Sequence, residues 1–324
     1  SIQNLIEVGS GGIFYSGWMF FLHNFKIFSQ FQHCFFLKKG ILLYCESLKS
    51  QTFIYYTMIE AIDLKFDLHC HTKEGSIDSK VSVAEFADRF MELGYDGFMI
   101  SDHNSYKGCK AWDAIKNDPK YRNFTVIRGI EYDTKDAGHI LVILPDGIYP
   151  RELRIRGLKC STLIKLVHSL GGILGPAHPF GVATSSAMGF KKMKMSYIKH
   201  FDFIETFNTC EFVNSNRLAK DLADRFDMPS FAGSDAHVPE YIGMACTEID
   251  AQIHCNNDLI AAVKFGADIK AFGTEREITK KAKRKEHWIG RVGYQIYNRG
   301  IGKMVYPYRS YHHRKLGTVF HIHM

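Results

Sequence analysis

The stretch Asp67-Leu68-His69-Cys70-His71-Thr72 places two imidazoles one residue apart. On an extended strand, residues i and i+2 share a face, so both rings can point at one ion. Imidazole is a common ligand for zinc, manganese and iron-type cations. One such triplet is a weak signal. Here, however, later apolar segments also end in acidic or imidazole groups: Ser101-Asp102-His103, Gly129-Ile130-Glu131, Gly138-His139, Ala177-His178-Pro179 and Ser234-Asp235-Ala236-His237. Imidazoles and carboxylates converging with no ion between them would be costly to bury. The pattern therefore points to a polynuclear metal site at one rim of an α/β barrel. His168, His200 and His254 belong to no such segment and read as ordinary structural histidines. Cys70 reads as a small buried filler rather than a ligand.

The elements that must hold these groups follow from periodicity. Leu64–Leu68 is a short strand running into the histidines. Ser82-Val83-Ala84-Glu85 forms a capping box, and Val83, Phe86, Ala87, Phe90 and Met91 then fall on one helical face. Gly94 ends that helix. Gly97–Ile100 is a buried strand feeding Asp102 and His103, and Phe124–Ile130 is another feeding Glu131, after a short helix near Ala111–Lys116. Ile140–Leu144 follows His139 as a further strand. Thr162–Leu170 is helical, and Ile173-Leu174 leads to His178. Tyr197–His200 closes a helix before the strand Phe201–Phe207. Asn214 is the expected cap of the next helix, Pro229–Gly233 leads to Asp235 and His237, and Asn256 or Asn257 is expected to cap a helix over Asp258–Phe265. Strands alternating with helices predict a parallel sheet covered by helices. The reactive residues then lie at the C-terminal strand ends, where a closed β/α barrel collects its active site.

In this order and spacing, His69-Cys70-His71, Asp102-His103, Glu131, Ala177-His178-Pro179 and Asp235-Ala236-His237 resemble the polymerase and histidinol phosphatase (PHP) family, over about residues 65–250. The resemblance implies a distorted seven-stranded, TIM-like β/α barrel with two or three divalent ions, and a phosphoesterase activity. It implies that His69, His71 and Asp235 hold the first ion, that Glu131 bridges to the second, that His139 and His178 complete the second, and that His103 and His237 hold a third. Such ions make hydroxide accessible near neutral pH and offset charge on the phosphoryl oxygens. Asp235 is then placed to orient the nucleophile, and His103 or His237 to protonate the leaving alkoxide. Asp67 and Asp102, beside the ligands, are expected to fix imidazole tautomers. Related phosphatases carry an Asp or His five or six residues after the second histidine of the triplet. Here those positions are Ser76 and Ile77, flanked by Glu74 and Asp78, so a two-ion centre stands beside a three-ion one.

Three regions follow: 1–57, a poorly structured upstream extension; 58–273, the metal-dependent hydrolase barrel; and 274–324, a basic tail. The first 57 residues are crowded with aromatics and show neither helical nor strand periodicity, and Met58 is a plausible native start. The rival reading of that segment is a membrane-associating arm. The apolar run 11–22 falls short of the roughly 18 residues a membrane span needs. The tail holds twelve Lys and Arg against three Asp and Glu, a net +9 that leaves residues 1–273 at −2. Its cluster Lys280–Lys285, with Tyr294, Tyr297, Tyr306, Tyr308 and Tyr311 interleaved with arginines, reads either as a solvated run or as a nucleic-acid contact. Lys191, Lys192 and Lys194 read either as a solvated face or as a patch that draws an anionic substrate toward the rim. Eight cysteines without a CxxC pair suit reduced thiols in a cytoplasmic protein. The leading expectation is a phosphoesterase acting on a nucleotide, sugar phosphate or short oligonucleotide, with manganese, zinc or iron. The alternative from another class is a non-catalytic, metal-stabilised module whose basic tail binds nucleic acid, and the same scaffold could also hydrolyse an amide.

Overall fold

The computed structural model describes residues 33–37, 41–48, 51–58, 63–181, 186–189 and 191–275, with a few positions between 304 and 315. The chain divides into two compact units, Ser1–Ile62 and Asp63–Met324. In the first, β1 (His33–Leu37), β2 (Ile41–Leu48) and β3 (Gln51–Met58) form an antiparallel meander. A segment read as lacking strand periodicity thus carries three strands, and Met58 lies inside the third. The Lys280–Lys285 cluster, with Tyr294, Tyr297 and Tyr306, lies outside the described residues.

The second unit is a mixed α/β fold built on a curled seven-stranded sheet. Its strands are β4 (Asp63–Cys70), β5 (Gly97–Ile100), β6 (Thr125–Asp133), β7 (His139–Ile143), β8 (Ile173–Pro176), β11 (Ala245–Asp250) and β12 (Ile269–Gly273), in the order β12-β11-β4-β5-β6-β7-β8. β9 (Ile204–Asn208) and β10 (Ser230–Gly233) pair separately and in parallel. The helices are α1 (Val83–Glu92), α2 (Lys107–Ile115), α3 (Cys160–Ser169), α4 (Val213–Phe226) and α5 (Asn256–Phe265).

One expectation needs correcting. The sheet is not all parallel: only β4-β5-β6 run in parallel, while β6-β7, β7-β8, β4-β11 and β11-β12 are antiparallel. The turn between Asp133 and His139 is too short for a parallel crossover, which needs a dozen or more residues. Among the described residues the ladders form an open seven-stranded sheet and a separate pair, with Cys70 and Ala236 bridging β4 to the segment after β10.

The capping box at Ser82 and Glu85 is present. Asn214 lies inside α4, whose N-cap is Phe212. Cys255 is the N-cap of α5, and the Asn256 amide donates instead to the carbonyls of Arg128 and Leu144, tying the helix to the sheet.

Period-two facing divides the core. Val126, Ile130, Tyr132, Ile140 and Val142 point outward, into one apolar cluster with α1, α2 and α3. Phe66, Leu68, Met99, Ile127, Leu141, Ile173, Phe203 and Phe231 point into the hollow of the sheet. Two residues further along the same interior rows, the apolar side chains give way to Glu131 after Gly129 on β6, His139 before Leu141 on β7, and Glu205 after Phe203 on β9. On β4 a register shift against β5 between Asp67 and Cys70 inserts one extra residue. Leu68 belongs to the inner cluster and Cys70 to the outer one, so the bulge switches facing and aims both His69 and His71 inward. A polar layer therefore sits directly on an apolar floor.

Candidate metal centre

Strand ends bring the imidazoles and acids together. His69 and His71 are fully buried, and their Nε2 atoms lie 3.0 Å apart. Asp235 Oδ1 is 3.1 Å from His71 Nε2 and 3.6 Å from His69 Nε2. Glu131 stands at the middle. Its Oε1 is 2.7 Å from His139 Nδ1 and 3.0 Å from His178 Nε2, and its Oε2 is 2.7 Å from His103 Nδ1 and 3.5 Å from His71 Nε2. The His237 ring lies against that of His71, with centroids 4.3 Å apart. All eight residues singled out from the sequence thus share one site. His139 arrives from the opposite direction to the rest: it begins an antiparallel strand rather than following a parallel one.

Among the described residues, three overlapping groups have ligand atoms close enough for a shared cation: His71, His103 and His237; His69, His71 and Glu131; and His103, Glu131 and His139. The tautomers fit a cation as well. An ionised carboxylate only accepts, so His69 Nδ1–H donates to Glu205 Oε1 at 2.8 Å and leaves Nε2 facing inward. Ser76 Oγ gives its hydrogen to Asp102 and accepts from His71 Nδ1 at 3.2 Å, which turns the His71 Nε2 lone pair inward. The two Nε2 atoms lie 3.0 Å apart, a spacing that a proton on His69 bridges in the bare protein and that a shared cation would take over. His103 Nδ1 approaches Glu131 Oε2 without hydrogen-bond geometry, and that oxygen and His178 Nδ1 are buried without a hydrogen-bond partner among the described residues. Imidazole and carboxylate together suit manganese, iron or zinc.

Electrostatics of the bare protein mark the same spot. Burial opposes charge on His69, but Glu205, Asp235 and Glu131 outweigh it and hold its pKa well above the usual imidazole range. His71, buried and facing His237 and His103, is pushed down to about 3. Burial would raise Glu131 and Asp235, yet the surrounding imidazoles hold both carboxyls well below the ordinary range. For His178 the Glu131 carboxylate overcomes burial and lifts the pKa to about 9. Such displaced values, in both directions within one cluster, are typical of functional sites.

Backbone strain concentrates here also: Asn104, His178 and Asp235 carry φ of 48°, 30° and 52°. Such angles are uncommon for non-glycine residues, and only two others among the described residues hold them, Lys192 and Asp227, outside the cluster.

The expected helper roles are redistributed. Asp67 and Asp102 touch no imidazole. Asp67 Oδ1 accepts from the amides of His69 and Ser234, locking β4 to the end of β10. Asp102 accepts from Thr72, Ser76 and Gly108. The tautomer-fixing partners are Ser76 and Glu205. Of the two residues flanking the altered positions, Glu74 accepts from the Val83 amide at the start of α1. Asp78 turns toward the site, with Oδ2 3.4 Å from His103 Nε2 and 3.6 Å from His237 Nε2. Glu205 and Asn208 have no motif around them; the signal available was a charged residue inside the wholly buried strand Ile204–Asn208. His168 pairs with Asp202, His200 and His254 are exposed, and none of them joins the cluster.

A family model described as PHP-associated matches residues 213–267, a stretch that contains Asp235 and His237. No curated protein matches the chain. Among solved structures, Endonuclease Q in complex with a 27-mer duplex bearing an abasic lesion is 17% identical, with a TM-score of 0.51, covering 67% of this chain and 61% of that one. A two-domain Bacteroides vulgatus protein containing a predicted PHP-like metal-dependent phosphoesterase is 16% identical, with a TM-score of 0.49 and 65% of each chain covered. The chain thus spans less than two thirds of the length of either. The first likeness shows a shared fold, and together with the family-model match these findings support the PHP family. No helix among the described residues is long and apolar enough to cross a membrane.

Proposed function

We propose that the chain is a metal-dependent phosphoesterase that hydrolyses a phosphate ester at the His–Glu–Asp cluster. The observation that carries this reading is the convergence of two buried imidazole Nε2 atoms, 3.0 Å apart, beside the buried Glu131 carboxylate and the part-buried Asp235 carboxylate. His69, His71 and Asp235 would hold one ion, Glu131 would bridge, and His139 and His178 would complete a second. His103, His237 and Asp78 form the outer flank, where a third ion or the leaving group would sit. When bound, the ions supply Lewis acidity and a nucleophile near neutral pH.

The remaining work falls to the chain. Glu131, wholly desolvated, concentrates negative charge where cations gather. Asp235 is the one carboxylate of the pair with part of its surface open, at 16% exposed, so it can reach an incoming water. His103 and His237, at 29% and 26%, face the mouth and hold protons above the usual imidazole pKa: burial lowers both, but Glu131 with Asp78 for His103, and Asp78 with Asp235 for His237, outweigh it. Either can hand its proton to a departing alkoxide.

The substrate class is a phosphate monoester or diester such as a nucleotide, sugar phosphate or short oligonucleotide. A DNA complex on the same fold favours including the last. The test is hydrolysis of an aryl phosphate with added manganese by wild type and by the double variant His69→Ala, Asp235→Ala. Turnover in the wild type that falls at least a hundredfold in the double variant supports the reading. Equal rates in both, or no turnover of any phosphate ester by the wild type, overturn it.

A further inference from the structure

We propose that Glu205 is the positioning residue of the centre, one carboxylate that sets ligand-bearing residues from three separate strand ends. The inference rests on reading the cluster as a divalent-cation centre, and it concerns a residue that makes no contact with a reacting group.

Glu205 is the second residue of β9, and its side chain is wholly buried. An isolated carboxylate there would be strongly disfavoured, so what satisfies it matters. Its partners are not generic. Oε1 takes the Nδ1–H of His69 at 2.8 Å. Oε2 takes the backbone N–H of His178 at 2.5 Å, at the residue whose φ of 30° turns its ring toward Glu131. Asn208 Nδ2 lies 3.3 Å from both oxygens and 3.4 Å from Asp235 Oδ2. The Asn208 amide is itself oriented, because its Oδ1 accepts from the Cys210 N–H at 2.9 Å. One anion therefore fixes a ring on β4, a strained backbone after β8 and, through one amide, the carboxylate after β10.

Gly233 leaves the space for this. A Cβ there would come within 2.1 Å of His69 Cβ and 2.7 Å of Glu205 Oε1. By contrast, Asp202 just before the same strand pairs with His168 at 3.0 Å, outside the cluster. It has the same carboxylate–imidazole chemistry without the ligands.

The physical consequence is pre-organisation. With Nδ1 held by Glu205, the His69 ring is oriented with Nε2 aimed at the centre before any cation arrives. Loss of such an outer partner typically weakens a metal site by roughly 10–100-fold. The test uses the full chain stripped with EDTA, manganese binding measured by titration, and circular dichroism and melting of the metal-free protein. Glu205→Gln keeps the shape and removes the second acceptor oxygen. It is expected to weaken manganese binding by about 10–100-fold, with the metal-free spectrum kept and with hydrolysis recovering as manganese is raised. Asp202→Asn is expected to bind manganese as wild type does. Should Glu205→Gln fail to fold, Asn208→Ala and Glu205→Asp serve, each expected to weaken binding at least threefold. Manganese affinity within threefold of wild type in folded Glu205→Gln, or in both substitutes, overturns the proposal, as does an equal loss in Asp202→Asn. Wild type that binds manganese yet hydrolyses no phosphate ester refutes the hydrolase reading and leaves the Glu205 comparison intact.

Discussion

Glu131→Gln removes one buried charge from the centre of the cluster and nothing from its volume. In the metal-free protein that charge holds His139, His178 and His103 at 2.7–3.0 Å. For His178, 7% exposed, the pairing lifts the pKa from 6.5 to about 9. By linkage that shift is worth about 2–3 kcal/mol at pH 7, and breaking a buried pair by removing one partner costs about 3–5 kcal/mol in general. A loss of about 3 kcal/mol is therefore expected, which in a unit of this size lowers the melting temperature by roughly 6–12 °C. The sign of the pH dependence is fixed. A raised imidazole pKa stabilises fully below 6.5, and the contribution fades as pH rises through about 9. Glu131, whose pKa is depressed, contributes above its ordinary value and loses that contribution in acid. The gap between wild type and Glu131→Gln should be widest between about pH 5 and 7 and should close toward pH 10. The assay is thermal melting of EDTA-treated protein across that range. A gap under 2 °C at pH 7, or one that does not change with pH, would refute the reasoning.

Other outcomes follow from single contacts. Ser76→Ala removes the acceptor for His71 Nδ1 and should weaken manganese binding by roughly 10-fold with little loss of melting temperature, read by titration and melting. Gly233→Ala has no room beside His69 and Glu205, so the metal-free protein should melt several degrees lower and retain less manganese after desalting.

The parts of the centre legible in the sequence were those with local chemical signatures. An HxH triplet, a histidine before Pro179 and a capping box at Ser82 can each be read from a few residues. The long-range partners were not. Glu205 lies 136 residues from His69, and no spacing rule links β9 to β4. Direction of the strands was hidden for a different reason: alternation of apolar residues reports that a strand exists but not which way its neighbour runs. The short link before His139 was the available clue, since it can join only an antiparallel pair. Asn214 and Asn256 illustrate how a favourable capping residue can be used otherwise. The Asn256 side chain gives its hydrogen bonds to the carbonyls of Arg128 and Leu144, a tertiary use that outranks the local one. The bulge on β4 shows the converse: the shared face of His69 and His71 was predictable, but not that one inserted residue would turn that face inward.

Metal stoichiometry is the most direct measure of whether this cluster is a cation centre. Protein reconstituted with manganese and desalted should retain about two or three ions per chain, and the His69→Ala, Asp235→Ala double variant should lose at least one of them. Retention of fewer than about half an ion by wild type, or equal retention by wild type and double variant, would contradict the account.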